Sequence, residues 1–148
     1  MKNIVVPVDF SGVTERVIEE AGGLCQALGA KLWLVHVAAP DPDFVGYDGG
    51  PQSVRDSVAH HLRDEHRDLQ QKAEALRATG LDAVALLVQG PTVDTILAEA
   101  KRLAADMIVM GSHGHGALYR ALLGSVSEGV LHKATCPLTI VPGRATAD

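Results

Sequence analysis

Five stretches of the chain are almost continuously apolar: NIVVPV (3–8), KLWLVHVA (31–38), DAVALLVQ (82–89), DMIVMG (106–111) and LTIVP (138–142). A strand with one wet face alternates apolar and polar residues; these runs do not, so each predicts a strand buried on both faces. Between the first two, Val13, Val17, Ile18, Ala21, Leu24, Cys25 and Leu28 recur at three- and four-residue spacing. That spacing predicts an amphipathic helix, with Ser11 as its N-cap and Gly29 as its stop. A second helical pattern carries Val54, Val58, Leu62, Leu69, Ala73 and Leu76, places charge between them and ends at Gly80. A third opens near Pro91 and buries Val93, Ile96, Leu97, Ala100, Leu103 and Ala104; a fourth carries Val126, Val130, Leu131 and Ala134.

Strand and helix therefore alternate along the whole chain with short connections. That order specifies an α/β fold, a single open, doubly wound parallel sheet with helices on both faces. With no internal repeat and a length suited to one core, residues 1–148 read as one domain. One connection is longer: APDPDFVGYDGGPQ (39–52) is rich in Pro, Gly and Asp, has no periodicity and reads as a mobile loop.

Composition removes several classes of function. The net charge of −5 comes without a cluster of Lys and Arg, so nucleic acid is not an expected partner. No run of roughly 18 apolar residues occurs, and the apolar start is broken by Pro7 and Asp9, so neither a membrane span nor a signal peptide is expected and the location reads as cytoplasmic. Cys25 and Cys136 lack a C-x-x-C spacing and read as buried small hydrophobes in a reducing compartment.

In an open parallel sheet, ligands bind beyond the carboxyl ends of the strands, where the strand order reverses. The first strand ends in PVDFS (7–11) and the second in HVA (36–38), while the fourth runs directly into MGSHGHGALYRALLGSVSEG (110–129). Glycines after a parallel strand let backbone N–H groups approach a ligand, and a following helix N-terminus adds partial positive charge. Gly111, Gly114, Gly116 and Gly124 with the hydroxyls of Ser112, Ser125 and Ser127 suit a phosphate chain. Two better-known phosphate loops are excluded: no Lys follows these glycines at Walker spacing, and Tyr119 stands where a dinucleotide fingerprint needs its third glycine.

The spacing Gly111-x2-Gly114-x9-Gly124-Ser125 resembles the ATP-binding signature of the universal stress protein family, and IVVPVDFS, LVHV and GSVSEGVLHKATCPLTIVP resemble its opening strand, its second strand and its close. The resemblance implies a Rossmann-like sheet of the adenine nucleotide alpha hydrolase type, ordered 3-2-1-4-5, and a homodimer. It implies that Pro7, Val8, Asp9 and Val37 surround an adenosine, with Asp9 near the ribose. Met110, Gly111, Ser112, His113 and Gly114 would wall the phosphates of ATP, bound with or without Mg2+, and Gly124, Ser125, Val126 and Ser127 would close over them. The dimer has a separate motive, since Leu138 to Val141 would form an apolar sheet edge, and such edges are normally covered, here by a twin strand or, in a monomer, by the GRATAD tail (143–148).

Plainer readings stand beside these. Ser125 and Glu128 also form a capping box, and Asp9 is a natural cap for the first helix. His36, inside an apolar strand, reads as a hydrogen-bonded core histidine. In HHLRDEHRD (60–68), His61 and Glu65 stand at a spacing that can share a metal, but a solvated charged face explains the segment better. His113 and His115 either titrate against phosphate or point to solvent. Phosphoryl transfer needs a cationic clamp and a carboxylate-held metal, and only Arg120 and Asp9 are at hand. The sequence therefore points to a nucleotide-binding stress-response dimer with slow or no hydrolysis; the alternatives are a nucleotide-free dimerisation module that binds a protein partner, and a slow ATPase or autophosphorylating enzyme.

Overall fold

Aliphatic and β-branched residues build five strands: Asn3–Pro7 (β1), Lys31–Ala38 (β2), Ala83–Gln89 (β3), Met107–Gly111 (β4) and Leu138–Val141 (β5). Four helices alternate with them: Thr14–Leu28 (α1), Gln52–Ala78 (α2), Thr92–Arg102 (α3) and Ser125–Lys133 (α4). This computed structural model describes residues 1–38, 52–113 and 123–143. All strand pairs are parallel and the order is β3-β2-β1-β4-β5, as the family resemblance implied. The loop expected over 39–52 lies outside the described residues except for Gln52, which belongs to α2.

The pleat explains why the strands read as unbroken apolar runs. Ile4, Val6, Leu32, Leu34 and Val109 face one core with Val17, Ala21 and Cys25 of α1 and Leu69 and Ala73 of α2. Their neighbours Val5, Val35, Ile108 and Met110 face a second core with Ile96 and Ala100 of α3 and Val130 of α4. Each strand thus supplies both layers, which an alternating pattern could not do.

Helix ends follow local chemistry. Gly29, at φ 64°, closes α1 in the left-handed conformation, its N–H bonded to the Cys25 carbonyl. Leu28 and Leu131, which the periodicity assigned to apolar faces, are 46% and 53% exposed, because each lies at the margin of its helix's buried stripe. At the amino ends of the strands, Asp106 Oδ2 accepts the N–H groups of Lys2 (2.7 Å) and Asn3 (2.9 Å), and these bonds hold its carboxyl below the usual range. That carboxylate secures the chain start; the strand order reverses at the other end of β1 and β4. Among the described residues, no helix is long and apolar enough to cross a membrane.

Candidate functional site

β1 ends at Pro7, yet Val8 continues the ladder by donating its N–H to Val35 O at 2.9 Å. The chain then turns sharply. Asp9 Oδ1 accepts the Ser11 N–H at 2.9 Å, an Asx turn, and lies 3.5 Å from Thr14 Oγ1. Phe10 takes φ 59°, a left-handed conformation that costs a bulky residue about 1 kcal/mol. Ser11 is not the N-cap of α1, as the sequence suggested: that position falls to Val13 with no side-chain cap, because the turn carries the chain two residues further before helical geometry begins. The Ser11 hydroxyl is left buried and without a partner among the described residues.

β4 ends against the start of α1. A Cβ on Gly111 would lie 2.8 Å from Val13 Cγ1 and 3.2 Å from the His113 carbonyl oxygen, so this glycine is required by close packing. Ser112 is buried and ties three segments together: its N–H donates to Val141 O (2.9 Å), its carbonyl accepts from Gly124 N–H (2.6 Å), and its hydroxyl accepts from Gly143 N–H (3.1 Å). The same hydroxyl lies 2.7 Å from His113 Nδ1. Arg16 reaches the neighbouring Pro142 carbonyl at 2.7 Å. The carboxyl ends of β4 and β5, the start of α1 and the start of α4 thus form one bonded assembly beside the Asp9 turn.

Within that assembly the hydroxyls divide. Ser127, 3% exposed, donates to Gly111 O at 2.6 Å, so it braces α4 on β4, and Ser112 is equally committed to the scaffold. Ser125 is exposed at the first residue of α4. The expected capping box is absent: the N-cap is Gly124, at φ −69° and ψ 160°, which has no side chain to cap the helix. The frame is one residue earlier than the box requires, which turns Ser127 inward and leaves Glu128 facing His132 at 3.6 Å. Met110 is buried and Val126 packs on the second core, so both side chains serve the interior. Gly114, Gly116, His115 and Arg120 lie outside the described residues.

Val37 packs on the second core, while its neighbour His36 points to the other face. His36 is the core histidine expected: Nδ1 lies 2.7 Å from Val8 O and Nε2 lies 3.0 Å from Glu65 Oε2. The other oxygen of Glu65 meets His61 Nε2 at 2.9 Å. Glu65 was missed as a site residue because its segment reads as a solvated face. The available signal was its register, three residues after Leu62 and four before Leu69, on the apolar stripe of α2. Among the described residues no group of three or more His, Cys, Asp or Glu side chains is arranged to hold a metal ion.

Comparison with known proteins places this geometry. The model of the universal stress protein family matches residues 1–142. A Thermus aquaticus protein, described as a universal stress protein in the 3′ region of a QAH/OAS sulfhydrylase, is 36% identical over 141 residues, covering 95% of this chain and 98% of its own. The solved structure of MJ0577 from Methanocaldococcus jannaschii, described as a hypothetical protein whose biochemical function was assigned from structure, superposes with a TM-score of 0.80 at 26% identity, with 98% of each chain covered. A universal stress protein from Archaeoglobus fulgidus, in complex with dAMP, shares the fold with a TM-score of 0.64 at 22% identity over 95% of this chain and 97% of its own.

Proposed function

Because the chain belongs to the universal stress protein family, we propose that it binds an adenine nucleotide, ATP with or without Mg2+, beyond the carboxyl ends of β1 and β4. The observation that carries this reading is the start of α4. The Ser112–Gly124 bond fixes the start of the helix beside the end of β4, and its N-cap, Gly124, has no side chain to cap the first N–H groups. Such groups, at the positive end of the helix dipole, receive a phosphate without a lysine. A protein of this fold in complex with dAMP supports the nucleotide class at the level of the fold.

The residues fit such a ligand unequally. Asp9, at the end of β1, would face the ribose, with Pro7, Val8 and Val37 around the adenosine. The backbone N–H groups of His113, Val126 and Ser127 and the hydroxyl of Ser125 would receive the phosphates, with Gly111, Gly114 and Gly124 allowing their close approach. Ser112 and Ser127 would shape the loop through the bonds they already make. Gly111 by itself favours a second reading, a nucleotide-free module, because its lack of a side chain is explained by Val13. We keep the nucleotide reading because close packing accounts for Gly111 alone, whereas the full spacing Gly111-x2-Gly114-x9-Gly124-Ser125 and the family match support a bound nucleotide.

The protein is proposed as a single-domain, cytoplasmic binding protein whose nucleotide state signals through a homodimer paired along Leu138–Val141, with hydrolysis slow or absent. Calorimetric titration of Mg-ATP into nucleotide-stripped protein tests the binding. The informative variant is Gly124→Asp: φ −69° and ψ 160° suit an Asp N-cap, so α4 is preserved or strengthened while a carboxylate fills the phosphate position. The expected result is an undiminished thermal midpoint with ATP affinity lowered about tenfold or more. No binding by the parent protein rejects the proposal.

A further inference from the structure

The His36 imidazole lies between two acceptors. Val8 O, 2.7 Å from Nδ1, can only accept, so Nδ1 carries a proton. Glu65 Oε2 lies 3.0 Å from Nε2, so a second proton occupies that contact, on the ring or on the carboxyl group. The His36 side chain is 9% exposed and that of Glu65 19%, so water offers little replacement. His61, 76% exposed on the same helix, holds the second carboxyl oxygen at 2.9 Å and fixes the orientation of Glu65. The other face of the imidazole meets Phe10, with ring centroids 4.6 Å apart at 53°.

These contacts converge on the turn after β1. Val8, Asp9 and Phe10 are consecutive, and Phe10 is the residue held at φ 59°. A left-handed bulky residue persists only where its surroundings over-determine it, and the His36 ring is one such surrounding. Glu65 reaches this turn through the His36 ring.

We propose that Glu65 is a positioning residue for the nucleotide crevice: by holding the His36 ring on Val8 O and against Phe10, it fixes the turn that presents Asp9. The inference rests on the nucleotide reading above. It makes α2, whose first residue directly follows segment 39–51, a lever on affinity.

The test compares the parent with Glu65→Ala and Glu65→Gln, each first checked for an intact fold by circular dichroism. Without nucleotide, the readouts are hydrogen exchange of the Ser11 amide, which bonds Asp9, and the 15N resonances of the His36 ring. With nucleotide, the readout is the Mg-ATP affinity. For Glu65→Ala we expect a displaced Nε2 resonance, Ser11 exchange about tenfold faster and ATP binding about tenfold weaker. Glu65→Gln restores the Ser11 exchange rate and the ATP affinity, because its amide donates to a neutral Nε2 and keeps the ring in place. An alanine variant that leaves the Ser11 amide or the ATP affinity as in the parent overturns the proposal, and so does a glutamine variant that rescues neither. If the parent binds no ATP while Glu65→Ala still loosens the turn, the nucleotide reading has failed and this inference falls with it; the apo readouts tell that failure apart from a failure of the lever itself.

Discussion

Gly111 shows how little room separates β4 from α1. A methyl group there would stand 2.8 Å from Val13 Cγ1, and Val13 is bounded by the turn at Phe10 and by the first turn of α1. We predict that Gly111→Ala lowers stability by about 1–3 kcal/mol, measured by urea unfolding, as overpacking does in a closed site. The serines carry the same lesson. Residue types and spacing announced a polar, glycine-rich turn beside a helix N-terminus, and that turn exists. Which hydroxyl faces a ligand and which braces the scaffold depends on where the helical frame starts: with Gly124 as the N-cap, Ser127 turns inward to Gly111 and Ser125 stays exposed. Glu65 was hidden for a related reason: charge marks a residue as solvated, and only a buried partner 29 positions away in sequence contradicts that.

Among the elements, the strands were legible almost to the residue, because burial on both faces is a strong constraint on composition. Helix starts were less so: Ser11 and Ser125 are good caps by type, but Val13, after the Asx turn, and Gly124 hold those positions. The docking of α1 has a measurable consequence. Cys25 lies on its buried face, and burial pushes its thiol up from 9.0 to about 11. Between those values the unfolded chain has lost the proton and the folded chain keeps it. Unfolding then releases a proton, so stability falls as pH rises through that window and is unaffected below it. The loss reaches up to about 1.4 kcal/mol per pH unit. Urea unfolding at about pH 8 and about pH 10 should show a steeper decline for the parent than for Cys25→Ala.

At the scale of the whole molecule, the order β3-β2-β1-β4-β5 leaves β5 paired on one side only among the described residues. The ladder shows which groups are left over. Pro137 O accepts from Ile108 of β4 and Val141 O from Ser112 just beyond it, so alternate residues face inward, and the N–H and C=O groups of Leu138 and Ile140 point away from β4. A row of such groups on an apolar strand is a template for a second strand, and an identical chain supplies one that matches it. The argument for the proposed homodimer starts from this edge and does not require the nucleotide reading. Ile140→Pro removes an outward N–H while sparing the bonds to β4, a substitution that edge strands tolerate. Light scattering should then give twice 15.6 kDa for the parent and 15.6 kDa for the variant, with matching circular dichroism spectra. A dimeric variant would move the interface elsewhere. Because β5 continues into Gly143, whose N–H holds the Ser112 hydroxyl, pairing at this edge bears on the same loop that is proposed to hold phosphate. A dimer that depends on β5 is therefore expected to dissociate at a different concentration with and without Mg-ATP.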